Sequence, residues 1–254
     1  MDTKTYRLRE FLNTTDGRGL IVDASAGLSL GALPGLEHFS EAVRPILPLV
    51  DGLVASPGQA RRLSSRVRSE AALLVRGDWT NALRGPDFVL PPETPNFIPL
   101  LDPADALSLG ASALVHYFLL GYEEHLEAAC LRTTVQLALQ GSQIGLPLVV
   151  DVQPTGPRVV LRGKAIELGV SYALEGGADG VAIPWPGRGS FELIQSMAAG
   201  TPIWVKPTSF DVVESELGDA LQMGGAGLWL DERVFARADP VTFIETLRTQ
   251  VHNS

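Results

Sequence analysis

Lys206 closes the apolar run Pro202-Ile203-Trp204-Val205. An amine at such a place is partly withdrawn from water, which lowers its pKa toward the neutral form that attacks a carbonyl carbon. Lysine is scarce here: the 20 basic residues comprise 17 arginines and three lysines, Lys4, Lys164 and Lys206. Lys4 and Lys164 fall in terminal or helical segments expected at the surface, so Lys206 is the amine whose setting suits chemistry. The alternative is an ammonium that pairs with Asp231 or Asp23 and only ties loops together.

Other apolar runs end on polar side chains in the same way: Asp23 with Ser25, Arg76 with Asp78, His116 with Tyr117, Asp151 with Gln153, Trp185, and Asp231 with Glu232. The carboxylates suit general acid or base work, or the binding of an amino or hydroxyl group. They also suit helix capping and pairing with Arg76. His116 and Tyr117 are adjacent, so in a strand only one of them can face inward, as a proton carrier or as a packed aromatic. Gly187-Arg188-Gly189-Ser190 opens a helix, where free amides and Arg188 could hold a carboxylate or phosphate; an ordinary turn with a serine cap fits equally.

These residues need elements to bring them together. Eight short runs have strand character: Gly19–Ala24, Gly52–Ala55, Ala71–Val75, Ser112–Tyr117, Pro147–Val152, Gly180–Ile183, Pro202–Lys206 and Gly227–Leu230. Helical periodicity separates several of them, clearest over Tyr122–Gln143, Gly163–Glu175, Phe191–Ala198 and Pro240–Val251. Strand and helix in alternation specify parallel βα units, and eight of them in 254 residues predict an α/β chain forming a single (β/α)8 TIM barrel over 1–254. Chemistry in such a barrel sits where strands end and βα loops begin, which is where the polar side chains above fall. Asp78–Asp102, with five prolines, reads as a long loop over the mouth.

Composition removes several classes of function. A formal charge of −9 argues against nucleic acid or an anionic membrane as partner. No apolar run is long enough to span a bilayer, and the polar start over 1–13 is unlike a signal peptide, so a cytoplasmic chain is expected. The single cysteine, Cys130, lies on an apolar helical face and reads as core. No metal-ligand spacing, dinucleotide fingerprint or P-loop occurs, so neither a metal nor a cofactor is expected.

Gly27-Leu28-Ser29-Leu30-Gly31 with Pro34-Gly35-Leu36-Glu37, Leu109-Gly110-Ala111-Ser112-Ala113 with Gly121-Tyr122-Glu123, Gly145-Leu146-Pro147, Gly177-Ala178-Asp179-Gly180-Val181 and Gly225-Ala226-Gly227-Leu228 with Asp239-Pro240 share an order and spacing. Together they resemble class I aldolases of the deoxyribose-phosphate and archaeal fructose-bisphosphate type along most of the chain. The resemblance implies a homo-oligomer. It breaks at the functional positions. Ser25 and Ala26 stand where the family has an Asp-His pair, Pro184 where it has the Schiff-base lysine of strand 6, and Gln153 where the fructose-bisphosphate branch has a proton-moving tyrosine. Pro207-Thr208 and Asp231-Glu232 replace the glycine pair and Gly-Arg pair that bind phosphate. Proline removes an amide donor and two carboxylates repel a dianion, so a sugar phosphate is not expected at that position. Val205-Lys206, by contrast, resembles the assisting strand-7 lysine of deoxyribose-phosphate aldolases.

The expected function is a divergent aldolase-family lyase or cyclase acting on a small polar carbonyl compound. Lys206 would form the imine, and Asp151 or Asp23 would move the proton. Ser25, Arg76, His116, Gln153, Trp185, Arg188, Asp231 and Glu232 would surround the substrate. Two alternatives stay open: a barrel without catalysis that serves as a binding or regulatory partner, and non-covalent acid–base catalysis in which Lys206 stabilises an enolate.

Overall fold

Glycine, alanine and branched aliphatics dominate eight runs that the chain cannot leave in water, and each becomes a buried strand. They are β1 (Gly19–Asp23), β2 (Gly52–Ala55), β3 (Ala72–Arg76), β4 (Ala113–Leu119), β5 (Leu148–Gln153), β6 (Gly180–Pro184), β7 (Ile203–Lys206) and β8 (Gly227–Leu230). The structure, a computed structural model, describes residues 3–253, apart from the side chains at 64–69. All eight strands pair in parallel with their sequence neighbours, and β8 closes on β1 to complete a (β/α)8 barrel.

Ten α-helices lie among the described residues: α1 (Thr3–Leu8), α2 (Gly27–Leu30), α3 (Phe39–Val43), α4 (Pro57–Glu70), α5 (Pro103–Ser108), α6 (Glu124–Ile144), α7 (Arg162–Glu175), α8 (Arg188–Ala198), α9 (Val213–Gln222) and α10 (Pro240–Asn253). The outer faces of the strands and the inner faces of these helices form one large apolar layer. A second, smaller cluster fills the barrel itself, with Ile21, Val54, Leu74, Val115, Val149, Ala182 and Trp229 on the strands. Period-two alternation therefore sorts the strand residues between the two cores.

The N-terminal end of the barrel is closed by the segment after α1. Phe11 enters it and meets the Trp204 ring at 5.7 Å, and Trp204 in turn meets Trp229 at 6.3 Å. These rings fit because glycines start the neighbouring strands. A Cβ on Gly19 would lie 2.3 Å from the Phe11 carbonyl oxygen, and one on Gly180 would lie 2.8 Å from the Trp204 ring.

Two expectations need correction. The region 78–102 is not a plain loop: Asp78–Thr80 and Phe97–Pro99 form an antiparallel hairpin, followed by α5 with a capping box between Asp102 and Asp105. Helices α4 and α9, which the sequence reading did not single out, complete the βα alternation it expected. Lys4 is buried rather than at the surface, its Nζ 2.7 Å from Asp179. Every lysine is in an ion pair: Lys4 with Asp179, Lys164 with Glu167 and Lys206 with Asp151.

Candidate active site

Continuing each inward-facing series by one more step brings polar side chains to the C-terminal mouth. Ile21 is followed by Asp23, Leu74 by Arg76, Val115 by Tyr117, Val149 by Asp151 and Trp204 by Lys206. The residues that end β1, β3, β5 and β7 meet in one hydrogen-bonded network. Arg76 donates to Asp23 Oδ2 at 2.6 Å, to Asp151 Oδ2 at 3.0 Å and to the Ser25 hydroxyl at 3.2 Å. Ser25 donates to Asp23 Oδ1 from its amide at 2.8 Å and from its hydroxyl at 2.5 Å. Asp151 Oδ1 accepts from Gln153 Nε2 at 2.9 Å and from Lys206 Nζ. The Arg76 guanidinium carbon lies 3.7 Å from the centre of the Tyr117 ring, so one cation is held between two carboxylates and an aromatic face.

A cavity of 350 Å³ opens above this network. Asp23, Tyr117, Asp151, Gln153 and Lys206 form its floor, and Leu30, Leu83 and Trp229 give it an apolar wall. Asp231, Glu232, Arg162 and Thr208 stand at its rim. A larger space of 630 Å³ lies at the opposite end of the barrel, bounded by residues such as Arg7, Glu10 and Arg248. None of the converging strand-end groups reaches it, so the smaller cavity is the one with chemistry to offer.

Burial alone would push the Asp23 carboxyl up, but the Arg76 charge, the hydrogen bonds from Ser25 and the Lys206 charge together hold it below the usual carboxylate range. Glu232 goes the other way. Burial first, and then the neighbouring Asp231 and Asp23 charges, push its carboxyl up to about 7. Burial also holds the Tyr117 phenol well above an ordinary tyrosine, with Arg76 opposing.

Ser25, Arg76, Gln153, Asp231 and Glu232 thus join Lys206, Asp151 and Asp23 at the mouth. Three other candidates do not. His116 faces outward into the helix layer, with Nδ1 3.2 Å from Asp78 and Nε2 2.7 Å from the Thr134 hydroxyl on α6. Trp185 packs on Phe191 at 5.3 Å, outside the cavity lining. Arg188 starts α8 and pairs with Asp219 of α9 on the exterior. Reading the sequence left His116 and Tyr117 as alternatives and carried only His116 to the substrate; it passed over Trp229 and the apolar wall. For Tyr117 the signal was available: inward parity through Ala113 and Val115 selects 117 over 116, once the strand's register is known.

The rim carries its own anions. The Thr208 amide donates to Glu216 on α9 at 2.7 Å, and the Arg233 amide donates to Asp231 at 3.1 Å. Among the described residues no group of His, Cys, Asp and Glu is arranged to hold a metal ion. No helix among them is long and apolar enough to cross a membrane.

No protein-family model matches the chain. Among curated relatives it is similar to an uncharacterized aldolase of Saccharolobus solfataricus, 25% identical over 250 residues that span 94% of this chain and 91% of the relative. It is also similar to 2-amino-3,7-dideoxy-D-threo-hept-6-ulosonate synthase of Halobacterium salinarum, 26% identical over 258 residues, 98% of this chain and 92% of the relative. Among solved structures an archaeal fructose 1,6-bisphosphate aldolase superposes with a TM-score of 0.80 at 21% identity, covering 99% of this chain and all 100% of that one. A Schiff-base-forming fructose-1,6-bisphosphate aldolase does so with a TM-score of 0.80 at 20% identity, over 98% of this chain and 100% of the other.

Proposed function

We infer from this chain's membership of the class I aldolase superfamily, as an aldolase-family lyase, that it acts on a small polar carbonyl compound through an imine on Lys206. One observation carries the reading. Pro184, which by the resemblance stands where the family has its Schiff-base lysine, and Lys206 are Cα partners across β6 and β7. Neighbouring strands stand about 4.8 Å apart, so the amine leaves the barrel wall one strand along and at the same level. It opens on the same cavity, and Asp151, its hydrogen-bond partner, is placed to take its proton.

The substrate class follows from the cavity. Its floor offers a network in which the Arg76, Lys206, Asp23 and Asp151 charges balance, which suits hydroxyl and carbonyl groups better than a free charge. At the rim, Glu216 fills the Thr208 amide and Asp231 fills the Arg233 amide, which supports a substrate without phosphate. A second reading draws on the same ion pair. An ammonium held on Asp151 can stabilise an enolate by charge alone, with no covalent bond.

Trapping separates the two. The protein is incubated with dihydroxyacetone, glycolaldehyde or pyruvate and sodium cyanoborohydride, and adducts are located by mass spectrometry. The imine reading expects a saturable adduct on Lys206, and none selectively on Lys4 or Lys164. Lys206→Arg keeps the charge but does not condense. Turnover of a carbonyl compound that survives in Lys206→Arg and is lost in Lys206→Met defeats the imine in favour of the electrostatic role.

A further inference from the structure

A carbonyl oxygen that is about to become an alcohol needs a hydrogen-bond donor facing it. The two buried carboxylates of the mouth do not supply one. Asp23 already accepts from the Ser25 amide, the Ser25 hydroxyl and Arg76. Asp151 already accepts from Arg76, Gln153 and Lys206. An ionised carboxylate is an acceptor only, and three hydrogen bonds already hold each of these two. Lys206 is occupied as the nucleophile, and Arg76 is locked beneath the floor, 1% exposed.

Tyr117 is different. Its residue is 5% exposed, it lines the cavity, and its hydroxyl makes no hydrogen bond to any other described residue. The ring cannot drift, because Arg76 lies against one face and the Tyr117 amide donates to Asp78 Oδ2 at 2.5 Å. That carboxylate is itself fixed by His116, which bridges to Thr134 on α6. The hydroxyl is open to the cavity, so a substrate oxygen there can accept from it.

We propose that the Tyr117 hydroxyl is the catalytic proton carrier at the substrate oxygen, a role that rests on the imine reading for Lys206. The step balances as follows. Lys206 passes one ammonium proton to Asp151 and its nitrogen lone pair attacks the carbonyl carbon. The C–N bond forms, the carbonyl π pair moves to oxygen, and that oxygen takes the Tyr117 proton. The tyrosinate then recovers a proton from the new, positively charged nitrogen, which leaves a neutral carbinolamine and a restored phenol. Loss of water takes its proton from Tyr117, which recovers it from Asp151, and gives the protonated imine. Burial keeps the phenol in its donor form at neutral pH, while the guanidinium against its ring favours the transient anion.

Tyr117→Phe tests this, since it keeps the ring on Arg76 and removes one hydroxyl. The rate of cyanoborohydride-trapped adduct on Lys206 is measured against dihydroxyacetone, glycolaldehyde and pyruvate concentration. The maximal rate should fall about 10²-fold with the half-saturating concentration unchanged. A wild-type maximal rate in Tyr117→Phe, or a change confined to half-saturation, overturns the assignment and leaves the imine standing. No adduct on Lys206 in the unaltered protein removes both. If Tyr117→Phe does not fold, 3,5-difluorotyrosine at 117 keeps the shape and acidifies the phenol. The pH profile of trapping should then move to lower pH, and an unmoved profile sinks the proposal.

Discussion

Pro184 and Lys206 face each other across β6 and β7 as Cα partners, so a side chain planted at either position leaves the wall at one level. An amine at position 184 should therefore reach the same cavity from a slightly different angle. Lys206→Met is expected to abolish trapping, and adding Pro184→Lys should restore an adduct at 184. Misplacement by an ångström or so can lower such rates about 10²-fold, so restoration should be partial. Mass spectrometry of the double variant decides, and absence of any adduct at 184 counts against the shared level.

Arg76 neutralises two buried carboxylates at once. Arg76→Met strands both Asp23 and Asp151, and urea denaturation should show a loss of about 3–5 kcal/mol. Adding Asp23→Asn and Asp151→Asn should return much of it. A single variant as stable as the parent would mean the network contributes nothing.

Acid should expose the same network. The Asp23 carboxyl is held below its ordinary value in the folded barrel. Its contribution is then complete above the unfolded value, about 3.9, and is lost as pH falls through the lower folded value. Asp23→Asn should flatten stability against pH in that acid window, as read by denaturant titrations.

Glu232 has the opposite sign. Its carboxyl is raised to about 7 in the folded state against about 4.3 unfolded, so the folded protein binds the extra proton between these values. Stability should decline as pH rises across that window and level off above it. Glu232→Gln removes the decline and should be the more stable protein at pH 8, by roughly 3 kcal/mol. Parallel pH profiles for the two proteins would refute this.

The closed end makes a prediction independent of chemistry. Gly19→Ala places a methyl against the Phe11 carbonyl and the Trp204 indole, and overpacking of this kind destabilises by about 1–3 kcal/mol. Thermal melting should show the loss, and trapping on Lys206, at the other end of the barrel, should keep its rate.

The strands were legible because both of their faces are buried, which leaves near-continuous apolar runs with a polar stop. The polar stops in turn marked Asp23, Arg76, Asp151 and Lys206. What sequence alone did not resolve was parity. His116 and Tyr117 differ by one position and by which core they enter, and only register against β3 and β5 decides between them. The hairpin at 78–80 and 97–99 was hidden for another reason: its strands are three residues long and separated by a proline-rich excursion. Lys206's partner was also out of reach, since Asp151 lies 55 positions away and Asp231 and Asp23 had equal claims by type.

Three lysines, each in its own ion pair, make the barrel an unusually simple spectroscopic object. Reductive 13C-methylation would label Lys4, Lys164, Lys206 and the α-amino group and little else. Their surroundings differ widely, with side chains 10%, 67% and 12% exposed, so their methyl resonances should separate without further assignment aids. Lys164 would report the solvent, Lys4 the closed end and Lys206 the mouth. A ligand titration followed in one spectrum could then tell occupancy of the cavity from a general loosening of the fold.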